Sequence, residues 1–153
     1  MLDEYEFYQG VVLRQIIAHS DSAIRIAPFR KSGRLNAFLL NDKIGVFVKH
    51  SAKRLSPWQF TFLTDHRDEI HELEAASVDS YIAFVCGTDG VALMTTEALR
   101  QLINFNSENV EWVRVDRSRR SMYGVHGPSG ALPHKLAAGT GLILAALQNE
   151  VAG

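Results

Sequence analysis

Residues 24–50 read IRIAPFRKSGRLNAFLLNDKIGVFVKH, and three apolar runs inside this stretch decide the fold. Ile24–Phe29, Leu35–Leu40 and Ile44–His50 are rich in Ile, Leu, Val and Phe, the composition of half-buried or buried strands. Lys31-Ser32-Gly33-Arg34 and Asn41-Asp42-Lys43 separate them. Such links suit hairpins and are too short for a parallel crossover, so the three runs predict an antiparallel meander.

Working outward, the residues before the meander predict a helix over about 3–18. Asp3 stands at its N-cap, and Phe7, Val11 and Ile17 recur at helical spacing. Glu6 shares a face with Gly10, Leu13 and Ile17 and has two readings. It is either the fourth residue of a capping box that starts at Asp3, or a carboxylate turned toward the strands, with Lys49 or a divalent ion as partner. After the meander, Ser56-Pro57 breaks the chain. Trp58, Phe60 and Phe62 then alternate with Gln59 and Thr61 as in a fourth strand.

An acidic helix is expected over about 65–76, with Ile70 and Leu73 inward. Tyr81-Ile82-Ala83-Phe84-Val85-Cys86 is continuously apolar, as a strand buried on both faces would be. Asp89-Gly90 turns into a shorter strand at 91–94, and Thr95 or Thr96 caps a helix carrying Leu99, Leu102 and Ile103. Val110–Val115 alternates as another strand. Beyond it Gly124, Gly127, Pro128, Gly130 and Pro133 favour turns, and residues 136–153 read as a weak, glycine-interrupted helix on a loosely attached tail. The expected class is α+β or α/β, a mixed, mostly antiparallel sheet with helices packed on it, in one domain of 153 residues.

Composition removes several classes of function. The single cysteine, Cys86, excludes an intrachain disulfide and a cysteine-built zinc site, and it suits a reducing cytoplasm. Met1–Glu6 is acidic and lacks the pattern of a secretion signal. The apolar stretch 136–147 contains two glycines and is shorter than the ~20 residues a bilayer needs, so no membrane partner is expected.

Charge is segregated although the net charge is only −1. Residues 22–64 hold Arg25, Arg30, Lys31, Arg34, Lys43, Lys49, Lys53 and Arg54 against one acid, Asp42. Asp65, Asp68, Glu69, Glu72, Glu74 and Asp79 follow, with Arg67 as the base among them. A basic region of this size attracts phosphate, which makes DNA or RNA the expected partner. Lys53, Arg54 and Arg34 would neutralise phosphates, and Trp58 would either stack on bases or belong to the core. A second cluster, Arg114, Arg117, Arg119 and Arg120, would either clamp a phosphate backbone or pair with the acidic helix.

The order of helix, three meandering strands, helix and strand resembles the core of the PD-(D/E)XK nuclease-like superfamily, over residues 1–90. In that family the third strand carries an acid, a spacer and a lysine, an aspartate precedes it, and the first helix often adds a glutamate. Lys49 matches the lysine, Glu6 the helical glutamate, and Asp42 is the acid in the meander. Phe47 stands where the motif acid would fall. The resemblance implies a metal-dependent nuclease of degenerate motif, with Lys49 catalytic, Glu6 and Asp42 holding Mg²⁺, and Mg²⁺ activating a water. A non-cleaving nucleic-acid binder is the equal reading.

Histidines offer metal-free acid–base chemistry, with His50, beside Lys49, as the first candidate. His66 and His71 are five residues apart and do not share a helical face. No His-Glu-x-x-His pattern, phosphate-binding glycine loop or nucleophile elbow occurs. The competing class is a non-catalytic interaction or regulatory module, a homo-oligomer whose basic face meets an acidic one.

Overall fold

The computed structural model describes residues 1–30 and 33–152. The predicted Lys31 contribution to the basic stretch lies outside the described residues. In chain order the elements are α1 (Glu4–His19), β1 (Ile26–Phe29), β2 (Ala37–Leu40), β3 (Ile44–Ser51), β4 (Trp58–Phe62), α2 (Thr64–Ala76), β5 (Asp79–Cys86), β6 (Gly90–Thr95), α3 (Thr96–Leu102), β7 (Glu111–Asp116), β8 (Gly124–Gly127), β9 (Gly130–Ala131) and α4 (Gly141–Ala152).

The meander forms as its short links require. Phe38 faces Val46 across β2 and β3, and Pro28 faces Phe38 across β1 and β2, both antiparallel. Asn41 and Asp42 take positive φ in the β2–β3 turn, which Asn and Asp tolerate better than other side chains. β5 then lies parallel to β3, with Phe47 beside Ile82 and Lys49 beside Phe84, and β6 closes the far side. The sheet order is β1-β2-β3-β5-β6, and a second sheet has the order β4-β7-β8-β9. The class is α+β with mostly antiparallel sheets.

Alternation along β3 and β5 sends their side chains into two cores. Val46, Val48, Ala83 and Val85 face a cluster with Val12 and Ile16 of α1 and Ile143 and Leu147 of α4. Phe47, Ile82 and Phe84 face the other cluster, with Trp58, Phe60 and Phe62 of β4, Leu73 of α2 and Val113 of β7. Gly45 lets α2 lie close to β3, since a Cβ there would fall 2.7 Å from Leu73 Cγ. One buried cation ties α2 to the segment before β7. Arg67, 1% exposed, donates to the carbonyls of Asn104, Ser107 and Asn109 at 3.0, 2.9 and 3.0 Å.

Three expectations are corrected. The tail is not loosely attached, because α4 begins at Gly141 and buries Ile143 completely. The glycines at 124–130 form the short antiparallel pair β8 and β9 and not turns alone. The inward face of α1 is Gln9, Val12 and Ile16, while Phe7 and Ile17 are 59% and 56% exposed. Apolar residues lie on both sides of this helix, so spacing alone could not select the buried side. Gln9 Nε2 donating to Leu35 O at 2.7 Å marks the true one.

Candidate functional site

β2 stops pairing at Ala37 opposite Phe47, so the last residues of β3 extend beyond its neighbour on that side. Lys49 therefore enters a cleft instead of the core, with His50 at its edge. The cleft has a volume of about 360 Å³ and lies where β4 passes β3, bounded by Tyr5, Asn36, Lys49, Gln59, Thr61 and His66 among others.

Lys49 alternates with Phe47 and so points toward the β4 side. Its Nζ sits 5.1 Å from the centre of the Phe62 ring and 3.4 Å from His66 Nδ1. The Leu63 backbone N–H also donates to that nitrogen, at 3.2 Å, which makes Nδ1 the acceptor of a neutral imidazole with its proton on Nε2. Burial and the adjacent Lys49 charge lower the His66 pKa to about 4, against the opposing pull of Asp65 and the Thr61 backbone. Burial lowers Lys49 to about 8, so its ammonium is charged at neutral pH at a cost in solvation. No carboxylate lies within ion-pair distance of Lys49 among the described residues.

His50 points to the opposite face of β3. Its ring stacks on Tyr8 at 4.5 Å, meets Tyr5 edge-on at 4.8 Å, and places Nε2 3.4 Å from Glu4 Oε2. Lys49 and His50, both candidate catalytic residues, are sequence neighbours whose side chains lie on opposite faces of β3. Arg34 lies over Tyr5 at 3.8 Å and 3.5 Å from Asp3 Oδ2, so the rim of the cleft is basic but partly compensated.

The proposed metal pair does not assemble. Asp3 Oδ1 accepts the Glu6 N–H at 3.1 Å, the cap half of a capping box, and the Glu6 side chain is exposed on the outer face of α1. Asp42 lies in the turn before β3 and pairs with Arg25. Seven residues of extended chain separate Asp42 from Lys49, roughly 23 Å at ~3.3 Å per residue. Phe47, at the position of the family's motif acid, is fully buried in the core. Glu6 and Asp42 therefore do not fit a shared Mg²⁺, and no cluster of three His, Cys, Asp or Glu suited to a metal occurs among the described residues.

The basic stretch divides between the two ends of the sheet. Arg25 and Lys43 flank the β2–β3 turn, at the opposite end from Lys49. Lys53 and Arg54 follow β3 in a loop that rests against Gly87 at the end of β5, where a Cβ would fall 2.2 Å from Lys53 O. Lys53 Nζ donates to Pro57 O at 2.7 Å, and Arg54 is exposed. Trp58 is core and not a stacking platform. It is 1% exposed, and its Nε1 donates to Lys53 O at 2.8 Å.

Arg117 is likewise spent on the fold. It donates to Asp89 Oδ2 at 2.9 Å, to Tyr123 Oη at 3.1 Å and to Ser121 O at 2.7 Å, while its backbone N–H donates to Ser56 Oγ. Tyr123 Oη donates to the same Asp89 oxygen at 2.6 Å. The acidic helix finds its base elsewhere, in Arg100, which pairs with Glu74. Arg119 and Arg120 remain exposed beside the Arg117 clamp. His66, Tyr5 and Gln59 escaped the sequence reading because the cleft draws single residues from α2, α1 and β4.

No protein-family model, curated protein or solved structure matches this chain.

Proposed function

We propose that the protein binds the phosphate backbone of a nucleic acid at the carboxyl end of β3. The observation that carries the reading is Lys49, a desolvated ammonium in an open cleft without a carboxylate partner among the described residues. Its neighbour His66 is held as a neutral acceptor, which occupies one ammonium hydrogen and leaves the others for an incoming anion. A phosphate oxygen supplies the charge that the cleft lacks. Arg34 on the rim, and Lys53 and Arg54 beyond the end of the strand, extend the attraction along a chain of phosphates. The helix–meander–helix–strand order supports kinship with nuclease-like cores. The separation of Glu6 from Asp42 favours a binder over a Mg²⁺-dependent nuclease built on those two residues.

The test is an oligonucleotide titration of the parent and Lys49→Gln at several salt concentrations. The expected result is affinity that falls steeply with salt, and a variant that is weaker with a slope reduced by about one phosphate contact. Salt-independent binding, or equal affinity for the two proteins, overturns the proposal in favour of a protein-interaction module.

A further inference from the structure

We infer that the solvent face of the β4-β7-β8 sheet is a platform for single-stranded nucleic acid, contiguous with the Lys49 cleft. The inference rests on the phosphate-binding reading of that cleft and adds the class of strand it takes.

Alternation fixes the two faces of this sheet. Trp58, Phe60, Val113, Val115 and Val125 turn into the core, so Gln59, Thr61, Trp112, Arg114 and His126 turn out. The register sets Gln59, Arg114 and His126 side by side in one row across three strands, with Thr61 opposite Trp112 in the adjacent row. Arg114 Nη2 donates to Gln59 Oε1 at 3.2 Å, which holds the guanidinium over β4. The Trp112 and His126 rings meet edge-on at 5.6 Å. Gln59 and Thr61 belong to both surfaces, since they also line the cleft.

An outward tryptophan on a strand is unusual unless it is covered, and Trp112 keeps part of its surface in solvent while the other tryptophan is buried. A large flat ring beside an arginine and a histidine offers base stacking and phosphate contact within one strand spacing of each other. Paired bases are stacked inside a duplex and cannot lie on a ring, so the platform selects unpaired strands. Asp116, outward at the end of β7, repels phosphates and confines the strand to the Gln59–Arg114–His126 row and the cleft beyond it.

The experiment uses a labelled 12-nucleotide single strand, its duplex, and the parent, Trp112→Ala, Trp112→Phe and Lys49→Gln proteins, with binding followed by anisotropy and tryptophan emission. The expected result is preference for the single strand, quenching of the half-buried Trp112 on binding, about tenfold weaker binding for Trp112→Ala, and recovery in Trp112→Phe. Equal affinity for duplex and single strand, or unchanged binding by Trp112→Ala, overturns the platform. Displacement by polyaspartate as readily as by unlabelled oligonucleotide overturns it too. If Lys49→Gln weakens binding while Trp112→Ala does not, the cleft reading stands without the platform. If the parent does not bind, both fall.

Discussion

Replacing Lys49 by methionine should make the protein more stable and weaken its affinity for phosphate. Methionine keeps the unbranched stem that packs near Phe62 and deletes the charge. Lys49 releases its proton at about 8 where an unperturbed lysine holds it to 10.5. Each tenfold change in that equilibrium is worth about 1.4 kcal/mol, so keeping the ammonium in the cleft costs about 3 kcal/mol at neutral pH. The hydrogen bond given up to His66 is long, at 3.4 Å, and offsets that gain by about 0.5 kcal/mol. The net expectation is a gain of about 2–3 kcal/mol at pH 7.

The pH dependence carries the diagnosis. Between about 8 and 10.5 the unfolded chain holds the lysine proton and the folded chain does not, so parent stability rises with pH across that window. Lys49→Met lacks the group and should lose its advantage over the same range. Urea unfolding followed by tryptophan emission, at pH 7 and pH 10, measures both points. A variant less stable than the parent by the same amount at both pH values would refute the reasoning, because it would mean that the ammonium is satisfied within the fold. Added oligonucleotide should raise the stability of the parent more than that of the variant, which keeps the contacts of Arg34, Lys53 and Arg54.

Arg67→Met should destabilise the protein by about 2–4 kcal/mol, since it strips one buried cation from three loop carbonyls. Faster proteolysis within residues 103–110 would accompany the loss. Gly87→Ala should cost about 3 kcal/mol or more, because φ is +54° there and the new Cβ would strike the Lys53 carbonyl; urea midpoints report it. Glu6→Gln and Asp42→Asn should bind oligonucleotide as the parent does, with or without Mg²⁺. Loss of Mg²⁺-dependent binding or cleavage in either would restore the nuclease reading.

The meander, the aromatic strand β4, the acidic helix and the buried strand β5 are legible because their patterns are local. The alternation of Trp58, Phe60 and Phe62 is the same signal whether a strand is an edge or a centre, and here it correctly marks a core face. The parallel register of β3 with β5 was not legible, because it depends on a crossover through β4 and α2. Glu6 misled for a related reason. With Phe7, Val11 and Ile17 on one side and Val12 and Ile16 on the other, α1 does not declare its buried face, and contact with Leu35 decides it. Lys49 was visible as a cation at the end of a strand, whereas His66 lies 17 residues on and meets it only because α2 starts beside the cleft. Charge counting placed Arg25 and Lys49 in one stretch, but a strand carries them to opposite ends of the sheet.

The central claim is that Lys49 is the ammonium that meets phosphate. Its most direct test is the affinity of the parent protein for a single-stranded oligodeoxyadenylate from pH 7 to pH 9.5 at constant salt. Binding should weaken as the pH passes about 8, where the free cleft loses its charge, although ordinary surface lysines and arginines stay protonated throughout. Affinity that stays level to pH 9.5 would contradict the claim and assign any phosphate binding to the exposed cations instead.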